Sequence, residues 1–255
     1  MPHLAAIWIY PIKALDGILL NAARITPAGS LESDRRFAML DAEGNVVNGK
    51  RDPRVHLLRT TFDDALSTVN LNSEPFGLTG DRRPLEARLS RHFGQVVHLA
   101  ENREAGFPDD TDSPGPTVIS QATLEEVASW FPGLTAKEMR ARVRPNLVMG
   151  GVPAFWEDRL YAGEGQTVPF RIGDVLVHGV NPCQRCVVPP RNPLTGESIP
   201  GFQKTFAELR ERTLPAWAER SRFNHFYRLS GNTRILESET GKMIKVNDPV
   251  DIMDS

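Results

Sequence analysis

Cysteine is nearly absent from this chain: its 255 residues hold two, Cys183 and Cys186. Two thiols three positions apart cannot staple a chain of this length, so a disulfide scaffold is excluded. An excess of basic charge is missing as well. The 30 Lys and Arg stand against 32 Asp and Glu, for a formal net charge of −2. That balance excludes a generally basic nucleic-acid binder and a strongly acidic tail protein, while leaving room for a local basic pocket. No apolar run approaches the ~20 residues of a membrane span, and the first ten residues carry neither a charged n-region nor a cleavage signature. The expected location is therefore cytoplasmic, with no membrane partner.

What is present is an ordinary globular composition, 40% apolar and 24% charged, with 20 Gly and 20 Pro. At this length one large domain or two small ones are expected. Leu4–Tyr10 reads as a strand ended by Pro11, and Phe37–Asp41 with Val46-Val47 as a hairpin about Glu43-Gly44-Asn45. Val55–Thr60 and Val96–Ala100 are further strand candidates, so the first part reads as β-rich with little helix. Residues 101–116, rich in Gly, Pro and Asp, read as a loop or boundary. Leu124, Val127, Ala128 and Phe131 recur at helical spacing behind a capping box at Thr123–Glu126, and Pro132-Gly133 stops that helix. A strand follows at about Asn146–Met149. Val168–Ile172 and Val175–Val180 bracket Gly173-Asp174 as a hairpin, and Phe202–Arg212 is amphipathic. The chain ends in strand-like pieces at 226–229, 233–236 and 243–246. Many short strands, few helices and no βαβ rhythm argue for a mainly β, α+β fold of barrel type with helices attached.

Both thiols fall in Asn181-Pro-Cys-Gln-Arg-Cys186, just before Val187-Val188-Pro189-Pro190. Four readings are open. A thioredoxin-like pair needs a helix N-terminus, which the two prolines oppose. A structural zinc site needs two more ligands, and His178 and His225 lack ligand spacing. Two half-buried loop thiols need no function at all. The fourth reading is a single thiolate ligand to a soft metal carried by a cofactor, with Arg185 favouring the thiolate. Elsewhere, Arg144-Pro145-Asn146 pairs a fork-shaped anion binder with an amide donor just before a strand, and could hold a phosphate. Lys13, in a strand-end loop, and the cluster Lys50, Arg51, Arg54 are further cations.

In their order along the chain these pieces resemble the MOSC family, with the N-terminal β-barrel domain that often precedes it. The matching segments are Tyr10-Pro-Ile-Lys13, Asp34-Arg-Arg-Phe37, Arg51-Asp-Pro-Arg54, Ile119–Leu124, Arg144-Pro-Asn146, Glu157-Asp158, Ile172-Gly-Asp174, Cys183-Gln-Arg-Cys186 and Pro193-Leu-Thr-Gly196. The resemblance covers nearly the whole chain, with residues 1–116 as the N-terminal domain and 117–255 as the MOSC domain. It is similar to the amidoxime-reducing components. It implies a molybdenum–molybdopterin cofactor, with Cys186 as metal ligand and catalytic centre. Arg144 and Asn146 would contact the cofactor, with Lys13, Arg185 and, more weakly, Lys50 as further anion-site residues. It also implies reduction of small N-hydroxylated or N-oxide substrates, with electrons from a separate flavin, haem or iron–sulfur protein. Two cysteines cannot ligate an iron–sulfur cluster by four thiolates. The alternative implied use of Cys186 is as a persulfide or cofactor carrier. Cys183 receives no required role. The chain departs from the family at Pro189-Pro190 and Ala14, where hydroxyl residues are usual.

Overall fold

The structure, a computed structural model, describes residues 1–253. In chain order its elements are strands β1 (His3–Ile9), β2 (Ile18–Leu20), β3 (Ala22–Arg24), β4 (Phe37–Leu40), β5 (Thr60–Phe62), β6 (Thr68–Leu71) and β7 (Glu74–Gly77), then helix α1 (Arg83–Phe93). After it come β8 (His98–Glu101), β9 (Val118–Ser120), α2 (Gln121–Ser129), α3 (Ala136–Val143), β10 (Leu147–Gly150), β11 (Val168–Ile172) and β12 (Val175–Gln184). The chain finishes with α4 (Phe202–Arg212), β13 (Arg228–Arg234), β14 (Met243–Lys245) and β15 (Val250–Ile252). It is the mainly β, α+β architecture expected from the sequence.

Eight strands form one sheet in the order β15-β11-β12-β13-β9-β10-β1-β2. Along β1 the buried residues are Leu4, Ile7 and Ile9, so the inward alternation skips a step. The skip falls where the register with β10 shifts, between Leu4 and Ala6, as a bulge requires. The sheet curls back on itself. His3 bridges Pro249, Leu4 N donates to Asp248 O at 2.9 Å, and Val250 N donates to Pro2 O at 3.2 Å. Leu4, Ile7, Ile9, Val118, Met149, Phe170, Val175 and Val177 fill the interior. Gly179 has no tolerable alternative: a Cβ there would stand 1.7 Å from the Leu160 carbonyl oxygen. The parallel pairing of β9 with β10 needs a crossover, which α2 and α3 supply. They pack with α4 through Leu124, Val127, Phe131, Met139, Phe202 and Phe206.

A second core gathers β4–β8, the sheet β5-β6-β7 and α1 around Phe37, Met39, Leu71, Leu85, Leu89 and Phe93. Chain order and packing do not coincide. Ala23, Ile25 and Leu31, early in the sequence, lie in the barrel core with residues 118–250, whereas Ile12 and Leu15 lie in the second core.

Several local expectations change. Val55–Thr60 is not one strand: Pro53–Leu57 is a 3-10 turn capped by the Asp52 carboxylate on Arg54 N, and only Thr60 enters β5. Helix α1 sits in the region read as poor in helix, because its buried stripe is a single line at Leu85, Leu89 and Phe93. Helix α2 begins earlier than the Thr123 box, since Ser120 Oγ accepts from Thr123 N at 3.0 Å. The two pieces at 226–229 and 233–236 are joined as β13.

Glu157 and Asp158, buried in a short 3-10 turn, link these layers. Glu157 Oε2 accepts from Ser120 N at 3.1 Å and Thr123 Oγ1 at 3.0 Å, and Asp158 takes an ion pair from buried Arg210 of α4. Burial first, then the Asp158 charge, pushes the Glu157 carboxyl up to about 8. A folded-state value above the unfolded 4.5 means that its favourable contribution is complete below about pH 4.5 and gone above about 8. Glu157→Gln should therefore gain on the wild type by several kcal/mol (order of magnitude) between pH 5 and 8. Urea unfolding at both pH values reads this, and parallel stability curves would contradict it.

Candidate functional site

Between the two cores lies a cavity of about 650 Å³. Its wall holds nine Lys and Arg (Lys13, Arg35, Lys50, Arg59, Arg140, Arg142, Arg144, Arg185 and Arg191), three Asp (Asp16, Asp109 and Asp110) and both cysteines. In a chain whose net charge is −2, positive charge is concentrated here. Such a concave basic wall raises the local concentration of anions.

The cations are placed by two periodicities that match. Trp8 and Tyr10, two apart around the end of β1, face the same way, and so do Arg140 and Arg144, four apart at the end of α3. The Arg140 guanidinium lies 3.6 Å from the Trp8 ring centroid and that of Arg144 lies 4.0 Å from the Tyr10 centroid. The faces of the two rings stabilise the charges. Arg144 caps α3 in the left-handed region (φ 52°), where its N donates to Arg140 O at 2.7 Å. Its side chain donates to Leu15 O at 2.6 Å, and Tyr10 Oη donates to Pro145 O at 3.1 Å.

Asn146 does not face the cavity. It is fully buried; Nδ2 donates to Trp8 O at 3.0 Å, and Oδ1 accepts from Thr117 N at 3.2 Å and Arg35 Nη1 at 3.4 Å. Its amide is used up in holding the wall together. Lys13 lines the cavity, but its ammonium donates to Phe107 O at 2.9 Å and Pro108 O at 3.0 Å and pairs with Asp109 at 3.0 Å. Although burial opposes it, the Lys13 and Arg35 charges hold the Asp109 carboxyl below its ordinary value. Lys50 is exposed at the cavity, with its backbone N on Asn48 Oδ1.

Both cysteines are half-buried and free, at the end of β12 and in the loop beyond it. They do not sit at a helix N-terminus, which removes the thioredoxin-like reading. Among the described residues no three His, Cys, Asp or Glu side chains are arranged to hold a metal ion. A metal at Cys186 would have to bring its other ligands with it. The loop is fixed from α3 at two points. Arg142 Nη1 donates to Pro189 O at 3.0 Å and Pro190 O at 2.9 Å, while Arg185 Nη2 donates to Val143 O at 2.5 Å. Arg185 also reaches the first cysteine, its Nη1 lying 3.3 Å from Cys183 Sγ.

The donor set suits an anionic group that carries a soft metal. Cys186 is a soft ligand, the arginines around it are anion donors, and four buried polar atoms of the wall, Arg185 Nε, Ser113 Oγ, His56 Nε2 and Arg191 Nε, have no partner. The sequence reading missed Arg35, His56, Arg140, Arg142 and Arg191. The spacing of Arg140 and Arg144 against Trp8 and Tyr10 was a usable signal, whereas nothing local marks Arg142 or Arg191.

A barrel closed on itself is thus joined to a second β-rich core over a basic cavity that holds a cysteine loop. The MOSC N-terminal beta barrel domain matches residues 1–138 and the MOSC domain matches residues 115–251, so the chain belongs to the MOSC family. It is 24% identical to mitochondrial amidoxime reducing component 2 of Bos taurus, over 74% of this chain and 66% of that protein. With mitochondrial amidoxime-reducing component 1 of Homo sapiens the figures are 24%, 75% and 67%. With the molybdenum cofactor sulfurase of Caenorhabditis elegans they are 22%, 83% and 32%. The chain thus spans about two thirds of the length of the first two relatives. No helix among the described residues is long and apolar enough to cross a membrane.

Because Arg142 alone joins α3 to both prolines, Arg142→Gln should cost about 1.5–3 kcal/mol, the worth of charged hydrogen bonds. It should also speed alkylation of Cys186. Urea unfolding and timed labelling check both, and unchanged values would remove Arg142 as the loop's anchor.

Proposed function

We propose that this protein binds a molybdenum–molybdopterin cofactor through Cys186. In this reading it reduces small N-hydroxylated or N-oxide substrates with electrons from a separate flavin, haem or iron–sulfur protein, in the cytoplasm. The observation that carries the reading is one cavity in which a half-buried thiol lies among nine cations of a chain that is acidic overall. When bound, the cofactor supplies the two-electron redox chemistry, and the protein supplies orientation and electrostatics.

Cys186 would be the thiolate ligand, since sulfur is the soft donor this metal accepts. Arg144 and Arg140, held over their aromatic rings, would be the donors for a phosphate, with Arg144 Nη2 already given to Leu15 O. Arg35, Lys13 and Arg185 add fixed positive charge. Asn146 acts by locking Trp8 and Arg35 in place. Since Arg142 and the prolines immobilise the cysteine loop, the thiol is held in place before the cofactor enters. A second reading, a persulfide or cofactor carrier, is favoured by the contact of Arg185 with Cys183, which provides a cation for a second thiol in the same cavity.

Protein made in a cofactor-producing host should carry molybdenum and pterin, whereas Cys186→Ala should lose most of the molybdenum. Equal metal in both defeats the reading, and a stable extra sulfur on Cys186 without metal favours the carrier. Arg144→Ala should weaken cofactor retention by about 1.5–3 kcal/mol, roughly ten- to a hundredfold. Pterin content after gel filtration measures this, and unchanged occupancy would remove Arg144 from the site.

A further inference from the structure

The 48–59 segment and the loop after Cys186 bring a second group of side chains to the cavity wall. A Cβ at Gly49 would lie 2.9 Å from His56 Nε2 and 3.5 Å from the Val188 side chain, so turn, imidazole and cysteine loop touch. Further along, a Cβ at Gly196 would lie 2.8 Å from Pro53 O, which closes the same seam. Lys50, His56, Arg59 and Arg191 all line the cavity from these two segments.

Their polar atoms are incompletely used. His56 Nε2 and Arg191 Nε are buried without partners. Arg191 makes one side-chain hydrogen bond, from Nη1 to Gly196 O at 3.2 Å, and among the described residues neither Arg191 nor Lys50 pairs with a carboxylate. Arg59 is shared with Asp16 at 3.1 Å. Burial, then the charges of Arg191, Arg144, Arg59 and Arg142, pulls the His56 imidazole down to about 4. At neutral pH the ring is therefore an uncharged hydrogen-bonding group ringed by cations. Convergent cations and unpartnered buried nitrogens are stabilised when an anion arrives.

We propose that Lys50, His56, Arg59 and Arg191 form a subsite for an oxyanion carried by the substrate, a carboxylate or a phosphate, so that the preferred substrates are acidic. The inference rests on the reductive reading of the cavity, since it assigns Arg140 and Arg144 to the cofactor and these residues to what the cofactor meets.

The test is equilibrium binding of 4-carboxybenzamide and of uncharged benzamide, by calorimetry in buffer free of phosphate and sulfate. The full chain is used with its cofactor and without it. Wild type should bind the acid at least about tenfold more tightly in both forms, one charge-assisted contact being worth that much. Arg191→Gln and Lys50→Gln should each remove most of this preference, whereas cofactor-free Arg144→Gln should keep it. Competition by acetate or by inorganic phosphate then tells which oxyanion fits. Equal affinity for the two probes overturns the subsite. So does a preference lost in Arg144→Gln and kept in Arg191→Gln, or one that vanishes when cofactor is loaded, because the cations would then serve the cofactor's own phosphate. A chain that takes up no cofactor yet prefers the acid sinks the reductive reading and leaves the subsite standing.

Discussion

The C-terminal turn of α3 is the constraint on which the site depends. Within five residues it seats Arg140 on Trp8, seats Arg144 on Tyr10, and fastens the cysteine loop through Arg142 and the Val143 carbonyl. Barrel strand, helix and cysteine loop are thereby joined by side chains that alternate around one helical turn. Arg140 and Arg144 point to the strand, whereas Arg142, buried at 3% exposure, points back to the loop. The Pro145 that follows disfavours helical backbone at Arg144 and ends the helix there, and Arg144 caps it in the left-handed region.

Gathering this many cations in one cavity is electrostatically costly unless each is compensated. The structure uses three kinds of compensation. Aromatic faces cover Arg140 and Arg144; carboxylates pair Lys13, Arg35, Arg59 and Arg142; backbone carbonyls receive Arg142, Arg144 and Arg185. What is left uncompensated is informative, because it marks where a bound anion would lower the energy. Arg185 Nε and Arg191 Nε, both on the cavity wall, are two such places. A cofactor phosphate and an acidic substrate are two different claimants.

The fold class was readable because strands announce themselves locally. Leu4–Tyr10 is β-branched and aromatic and ends at Pro11, and the hairpin around Gly173-Asp174 alternates about its turn, so that its pairing follows from a short connection. Helices α1 and α3 escaped because their buried faces carry few apolar residues; in α3 an arginine occupies the core position. At the site, Cys186, Arg144 and Lys13 were visible as residue types within motifs, and the cavity contains all three. Whether a motif residue faces the cavity is decided by tertiary packing, which is why Asn146 lies behind the wall. His56 and Arg191 are 135 residues apart and meet only through the seam, so no local pattern could have joined them.

The account turns on a bond between one sulfur and a metal. X-ray absorption at the molybdenum edge, on protein from a cofactor-producing host, addresses that bond directly. The account predicts a sulfur shell larger than a pterin dithiolene provides, with one sulfur replaced by an oxygen neighbour in Cys186→Ser. A spectrum identical in wild type and Cys186→Ser would contradict it.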